Sequence, residues 1–427
     1  MFTLIRNWNL KQIHIFVLTI LFAIVNIAIH WPGQLNNDSE YQLQQAISGV
    51  YRDWHPPIMA VIWNKLLFLG VKAPMLVMQI ALHWIGIGLF ASYLCREKLS
   101  KVAFIMLLSG FTPIALKYTG IISKDTLLTS FLLAGFGLAT INDVRLKFVG
   151  ILLGLIGMLS RANGIFAFPA LLFFALERRW RLSKTLFISL AFSILLIPTT
   201  SWVNHYLLQA DRDNTIRALQ LYDLLGIAYF SKDTSVLPVT INEINICYTP
   251  LFWDTLGGER CENAFARTPT NINYDWLAGI ATYPVSYAMH RLSHFNRETF
   301  FLVPPIQQCV DAPEYHSCPK TLFSDAITKN GFLWPIAWLV LGIVILTTNI
   351  AGIGQALCLS GLLYGFGYLI VGLAADFRYF YWTELAIQTS LILNFSSLGF
   401  VFWRKATFAI LTVWILGYAW RIFFIFS

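Results

Sequence analysis

The sequence has 427 residues, of which 57% are hydrophobic, 15% aromatic and only 12% charged. Soluble domains average about 25% charged residues, so this chain has too little charge to coat several soluble domains, and its aromatic content excludes a disordered chain or a coiled coil. The net charge of +8 does not indicate nucleic-acid binding, because most Lys and Arg residues lie in short clusters beside apolar runs, where they set membrane topology. The composition predicts an all-α polytopic membrane protein.

Apolar runs of about 20 residues predict membrane-spanning helices, and clusters of Lys and Arg mark the cytoplasmic side. The first run, 13–29, follows Arg6 and Lys11 and is interpreted as an uncleaved signal anchor with a cytoplasmic N-terminus. Further spans are expected at 75–94, 102–116, 126–141, 148–160, 165–176 and 186–202.

The first outer loop, 31–74, contains two predicted interfacial segments. Ser39 opens a capping-box pattern. Apolar residues follow it at helical spacing, namely Leu43, Ala46, Ile47 and Val50. This spacing predicts an amphipathic helix on the membrane surface. The second segment, 56–70, is too short to cross a bilayer and is interpreted as interfacial or re-entrant.

From about residue 203 to residue 330 polar residues and Pro increase, which predicts a mixed periplasmic loop domain. Four more spans, 332–348, 352–374, 382–402 and 407–425, bring the expected total to about 11 and place the C-terminus outside. Arg404 and Lys405 mark the cytoplasmic end of the third of these. The predicted domains are therefore 1–202, 203–330 and 331–427.

Four of the six cysteines lie in the predicted outer domain: Cys247, Cys261, Cys309 and Cys318. Four cysteines in an oxidising compartment permit three pairings. Short loops favour the pairs 247–261 and 309–318, with buried free thiols as the alternative. No cysteine spacing resembles a zinc site.

Several polar residues on the predicted outer side are not needed for topology. Asp38 and Glu40 follow the first span, where a carboxylate suits a general base; the alternative is helix capping. His55, in the segment Asp53-Trp54-His55-Pro56-Pro57, is expected to donate to a phosphate or to tune a neighbour, since the pKa of His lies near neutrality. The alternative is a plain interfacial turn.

Three further groups lie at predicted outer helix ends. Lys124 runs against the positive-inside pattern beside a helix N-terminus, and it is followed by Asp125. Arg161 precedes Asn163, and Arg378 precedes Tyr379. Arginine near membrane depth is costly unless it is paired or faces a polar cavity, and its planar fork of donors matches phosphate. Asp125 as a first-turn charge, favoured by the helix dipole, is the alternative to a functional role.

Two groups of histidines have structural interpretations. His83 is expected to be packed inside a span or to face a pore. His290 and His294 are expected on an interfacial helix, where their spacing would suit a metal but no acidic partner is expected nearby.

The order of these motifs resembles the GT-C class of membrane glycosyltransferases. The residues that carry the resemblance are Asn37-Asp38-Ser39 with Gln42, Asp53-Trp54-His55-Pro56-Pro57, Lys124-Asp125, Arg161-Ala162-Asn163-Gly164 and Asp376-Phe377-Arg378-Tyr379. The bacterial and phage serotype-converting glucosyltransferases that modify O-antigen are similar. The resemblance covers about 1–200 and 330–400, and His55 stands where many relatives carry Lys.

The resemblance implies transfer of a sugar, expected to be glucose, from an undecaprenyl-phosphate carrier to a lipopolysaccharide O-antigen or another glycan outside the bacterial inner membrane. Asp38 is then the expected base. Residues expected to contact the donor phosphate or substrate are His55, Lys124, Asp125, Arg161, Asn163, Arg378 and Tyr379. No cofactor is assigned, and a divalent metal ion held by Asp38 and Asp125 is an open alternative.

Three other functional classes remain as alternatives. A transporter or flippase of lipid-linked sugars also carries charges inside a helical bundle, but it predicts polar residues along the whole membrane depth. An O-antigen polymerase also acts on lipid-linked sugars. A membrane acyltransferase requires a deep histidine, for which His83 is the candidate.

Overall fold

The computed structural model describes residues 11–176, 182–250, 267–269, 271–303, 330–348, 350 and 352–426. These residues form helices joined by turns, with two isolated β-bridges and no strand. The predicted all-α class is therefore confirmed for the described part of the chain.

The helices before residue 213 begin close to the predicted spans and interfacial segments. They are α1 (Gln12–His30), α2 (Asn37–Ser48), α3 (Ile58–Leu66), α4 (Ala73–Arg96), α5 (Ser100–Ser109), α6 (Pro113–Thr119), α7 (Lys124–Ala139), α8 (Val144–Ser160), α9 (Gly164–Leu176) and α10 (Leu182–Trp202).

The helices described after residue 213 include two long apolar ones near the C-terminus. They are α11 (Thr215–Ser231), α12 (Ile241–Cys247), α13 (Asn273–Thr282), α14 (Pro284–Glu298), α15 (Pro335–Leu346), α16 (Ile353–Val371), α17 (Tyr381–Leu393) and α18 (Phe400–Phe426).

Five helices among the described residues are long and apolar enough to cross a membrane, and a sixth span is counted when α5 and α6, bent by 49° at their junction, are taken together. The five are α1, α4, the continuous helical stretch Lys184–Leu207, α16 and the stretch Phe400–Phe423 of α18. This set is compatible with a membrane protein. The other predicted spans fall on shorter helices, so the total of about 11 stays a prediction.

The chain forms two compact units. The first comprises residues 1–213, 341–365 and 378–405. Within it, α7 packs closely along α8 because glycines face each other: a Cβ on Gly135 would lie 2.6 Å from the carbonyl oxygen of Gly150. Small residues permit this close approach of membrane helices. The turn at 140–143 reverses the chain, so the start of α7 lies near the end of α8.

A short backbone pairing brings the start of α2 to the start of α7. The Gln34 amide donates to the Gly120 carbonyl at 3.0 Å, and the Ile122 amide donates to the Gln34 carbonyl at 2.9 Å. The Ser39 hydroxyl, in the first turn of α2, also donates to the Ile122 carbonyl. The first turns of α2 and α7 are therefore held side by side.

The sequence assigned the wrong N-cap to α2. The helix begins at Asn37, and Asn36 is its N-cap, because the Asn36 side chain accepts from the Ser39 amide at 2.9 Å. The buried face is mostly polar, since Gln42 and Gln45 pack inward with Ser39 and Ala46. The apolar residues Ile47 and Val50 are exposed.

The predicted end of the span 382–402 is also wrong. Helix α17 ends at Leu393 and α18 begins at Phe400, so Arg404 and Lys405 lie inside α18. The intervening residues include Asn394, Ser396, Ser397 and Gly399. These are residue types that favour turns over helix.

The second unit comprises residues 214–340, 366–377 and 406–427. Its core is built on α11, whose buried residues Leu221, Tyr222 and Leu225 pack with Val239 and Ile244. Helix α14 is amphipathic and buries its polar side, including His290 and His294, within this unit. The expectation that these histidines lack an acidic partner is wrong, because His290 lies 3.3 Å from Asp223 and His294 lies 3.4 Å from Glu298. The predicted packing of His83 in α4 is confirmed, since its side chain is fully buried in the first unit.

The cysteine prediction is tested at one position. Cys247 is buried and lies in a disulfide, whereas Cys261, Cys309 and Cys318 lie outside the described residues. Cys95 and Cys358 are not in disulfides. The specific pairings therefore stay predictions.

Candidate functional site

Asp38 lies at the centre of a cluster of charged residues in the first unit. Its Oδ2 atom lies 3.0 Å from Lys124 Nζ and 3.0 Å from Arg378 Nη2. Asp38 is in the first turn of α2, Lys124 begins α7, and Arg378 lies in the short 3-10 helix Phe377–Phe380 that precedes α17. Three segments distant in sequence thus meet at one carboxylate.

Asp125 extends the cluster to two arginines. Its Oδ1 atom lies 2.6 Å from Arg161 Nη1, and its Oδ2 atom lies 3.9 Å from Arg378 Nε. Tyr379 packs on both guanidinium groups, with its ring centroid 4.3 Å from the Arg161 Cζ and 5.5 Å from the Arg378 Cζ. Cation–π contacts of this kind hold a guanidinium in place without neutralising its charge.

His55 contacts the cluster from the loop between α2 and α3. Its Nδ1 atom lies 2.6 Å from Lys124 Nζ, and its Nε2 atom lies 3.6 Å from Asp38 Oδ1. Burial, and then the charge of Lys124, lowers the pKa of His55 to about 3. The expected near-neutral pKa is therefore wrong, and a neutral His55 accepts from Lys124 through Nδ1 and carries its proton on Nε2.

The cluster gathers several cationic side chains. Three cations, Lys124, Arg161 and Arg378, face two carboxylates, those of Asp38 and Asp125. Burial alone would raise the pKa of Asp38, but the charges of Lys124 and Arg378 outweigh it and lower that pKa below its usual range. A partly buried site that gathers guanidinium and ammonium groups favours an anionic ligand.

Two predicted site residues lie outside these contacts. Glu40 is exposed on α2, because residues two apart on a helix point about 200° apart and Asp38 faces the cluster. Asn163 is buried in the turn that joins α8 to α9. Its side chain is not among the contacts that join the cluster in the described part of the chain.

The geometry does not fit a metal ion at Asp38 and Asp125. Arg378 contacts both carboxylates, at 3.0 Å and 3.9 Å, so a guanidinium already lies where a shared metal would bind. Among the described residues, no group of three or more His, Cys, Asp or Glu side chains is arranged to hold a metal. We assign no step to a metal.

An open cavity of about 730 Å³ lies beside the cluster. It is lined by Asn37, Asp38, Tyr41, Arg52, Trp54, His55 and Asp213. Five of these residues, Asn37, Tyr41, Arg52, Trp54 and Asp213, were not predicted as site residues. The pairing of the backbone at 51–53 with that at 211–213 brings Asp213 here, and no local pattern in the sequence signals this contact.

Comparisons with known protein families, curated proteins and solved structures give no match for this chain. The function is therefore inferred from the chemistry of the cluster and its cavity.

Proposed function

We propose that this protein is a membrane glycosyltransferase with a GT-C-like fold. It transfers a sugar, expected to be glucose, from an undecaprenyl-phosphate carrier to an O-antigen or another cell-surface glycan. The observation that supports this proposal is the convergence of Lys124, Arg161 and Arg378 with a single partly exposed carboxylate, Asp38. Phosphate release and hydroxyl activation require such a set of groups.

The cations would bind the phosphate of the donor. Arg378 and Arg161 present planar forks of donors that match phosphate oxygens, and Lys124 adds a point charge. Asp125 and Tyr379 hold the two guanidinium groups, and His55 holds the Lys124 ammonium. These three residues act by positioning the phosphate ligands.

Asp38 would act as the general base. In the resting site its charge is shared by Lys124 and Arg378, which lower its pKa and make it a weak base. A bound phosphate would draw both cations toward itself, and the pKa of Asp38 would then rise. Donor binding would thereby activate the base.

The transfer step balances with these groups alone. The acceptor hydroxyl gives its proton to the Asp38 carboxylate while its oxygen forms a bond to the anomeric carbon of the donor sugar. The bond from that carbon to the phosphate oxygen breaks, and the lipid phosphate leaves with the electron pair. Lys124, Arg161 and Arg378 stabilise the charge that develops on it.

The proposal places the reaction at the periplasmic face of the bacterial inner membrane. The predicted spans 126–141, 148–160 and 165–176 overlap α7, α8 and α9, and the proposal counts each of them among about 11 spans. Asp38, Lys124, Arg161 and Arg378 then all lie at outer ends of the predicted spans.

The decisive experiment replaces the base and keeps the fold. Asp38→Asn preserves the size of the side chain but removes its proton affinity, so sugar transfer per molecule should fall about 10²- to 10⁴-fold. Glu40→Gln is the matched control, because Glu40 lies on the same helix but is exposed; it should keep nearly full activity.

Mass spectrometry of O-antigen repeats, from cells with and without the gene, measures the transfer. An added hexose that depends on Asp38 supports the proposal. Near wild-type transfer by Asp38→Asn would remove Asp38 as the base. Movement of lipid-linked sugar across the membrane with no gain of glycan mass would instead indicate a transporter.

A further inference from the structure

The cavity and the cation cluster share only two residues, Asp38 and His55. Lys124, Arg161 and Arg378 are outside the cavity lining, while Asp38 contacts Lys124 and Arg378 through Oδ2. A base that takes a proton from an acceptor and serves a phosphate donor must contact both substrates. The cavity therefore lies where the acceptor would bind.

Aromatic side chains line the cavity beside Asp38. Trp54 is 37% exposed, and Tyr41 packs edge-to-face against His55 with ring centroids 5.8 Å apart. A sugar ring presents a face of C–H groups, which packs on an aromatic ring, while its hydroxyls project toward the edges. The volume of about 730 Å³ lies within the range of about 300–1,000 Å³ that is typical of small-molecule sites.

An ion pair forms the polar part of the lining. Arg52 Nε lies 2.9 Å from Asp213 Oδ1, and Asp213 Oδ2 accepts from the Trp54 amide at 3.2 Å. The Asp213 amide in turn donates to Asp53 Oδ1 at 2.6 Å. This network fixes Trp54, Arg52 and Asp213 relative to one another.

The charges of this lining favour a neutral ligand. Asp213 cancels the charge of Arg52, and His55 is neutral, so the described residues that line the cavity include no unpaired cation. The pair still offers donors and acceptors to hydroxyls. A carboxylate on the ligand would meet Asp38 and Asp213 without a free cation to compensate it.

We propose that Trp54, Tyr41, Arg52 and Asp213 form an acceptor subsite that binds a neutral sugar of the glycan. This inference rests on the proposed function, and it assigns the two substrates to opposite sides of Asp38. Trp54 supplies the stacking surface, and the Arg52–Asp213 pair orients the acceptor hydroxyl toward Asp38.

The test measures binding of a neutral O-polysaccharide, released from its lipid by mild acid, to the full-length protein in nanodiscs. Saturation-transfer NMR gives the Kd. Trp54→Ala should raise this Kd at least tenfold, and Trp54→Phe should restore most of the affinity because it keeps an aromatic face. Trp202→Ala is the matched control, because Trp202 is exposed and lies outside the cavity lining, and it should leave the Kd unchanged.

Binding of undecaprenyl phosphate by Trp54→Ala checks that the variant is folded. A polysaccharide rich in uronic acids should bind at least tenfold more weakly than the neutral one. Equal affinity of Trp54→Ala and the wild type, no binding by the wild type, or preference for the acidic polysaccharide would each overturn the subsite.

This outcome is separable from that of the proposed function. Polysaccharide binding that depends on Trp54, in a protein that transfers no sugar, would keep the subsite and reject the enzyme. Asp38-dependent transfer with unchanged binding in Trp54→Ala would keep the enzyme and reject the subsite.

Discussion

Each compact unit contains a buried cluster of charges, and the two clusters differ in how accessible they are to solvent. In the second unit, Asp223 contacts His290 Nε2 at 3.3 Å and Arg291 Nη2 at 2.5 Å, and it accepts from Trp276 Nε1 at 2.8 Å. Arg291 also donates to the Gly372 carbonyl at 2.8 Å. Asp223 and His290 are fully buried.

The Asp38 cluster of the first unit uses the same residue types differently. The Asp38 side chain is 23% exposed and that of Arg378 is 16% exposed, and Asp38 also lines the cavity. Burial lowers the pKa of His290 to about 4 as it lowers that of His55, so a neutral histidine does not distinguish the clusters. Access to solvent and to a cavity does, and these features indicate ligand binding.

The largest expected effect is a difference in stability between variants of the two clusters. Asp223→Ala leaves the buried Arg291 without its carboxylate, which should cost about 3–5 kcal/mol of unfolding free energy. Asp38→Ala should cost much less, because Arg378 keeps Asp125 and reaches solvent. Thermal unfolding in detergent measures both variants, with Asp223→Asn as the control that keeps an acceptor for Trp276. Equal losses in the two alanine variants would make the Asp38 cluster structural.

A smaller effect is expected on binding of the lipid-linked donor. Arg378→Ala should raise the KM for the lipid-linked donor about 10- to 150-fold, the equivalent of a charge-assisted hydrogen bond of about 1.5–3 kcal/mol. Raising the donor concentration should then restore part of the activity. Arg404→Ala is the matched control, since Arg404 is exposed in the same unit. An unchanged KM in Arg378→Ala would exclude this arginine from the donor site.

The identity of the cluster residues was accessible from the sequence. The sequence predicted Lys124, Arg161 and Arg378 as site residues, because charges at outer helix ends are costly and do not serve topology. The structure joins them to Asp38 and Asp125. The all-α fold class and the positions of most apolar helices were also predicted, because the hydrophobic pattern is a local property of the sequence.

The pairing within the cluster was not accessible. No local pattern in the sequence indicates that Arg378 contacts both Asp38 and Asp125. The contact of Arg52 with Asp213 joins positions 161 residues apart. Such contacts depend on backbone pairing between distant loops. The start of α2 was missed because Asn36 and Ser39 are both good caps, and the pairing of Gln34 with 120–122 holds Ser39 inside the first turn.

The smallest effect concerns the pH dependence of stability at His55. An unfolded histidine has a pKa of about 6.5, whereas the pKa of His55 in the fold is about 3. Between these values the unfolded chain binds a proton that the folded chain does not, so stability falls as the pH falls. From pH 7 to pH 5 this loss should be about 2 kcal/mol. His55→Gln should remove it, and His290→Gln should remove a similar amount in the second unit. Unfolding curves at the two pH values measure the loss in each protein.

The two variants then differ in sugar transfer, because Gln at position 55 keeps a polar side chain beside Lys124 but alters the donor site, whereas position 290 belongs to the closed cluster. A pH dependence that is unchanged in His55→Gln would mean that His55 is already charged in the fold. Lys124 would then face a second cation, and the neutral acceptor of its hydrogen bond would be lost from the proposed phosphate site.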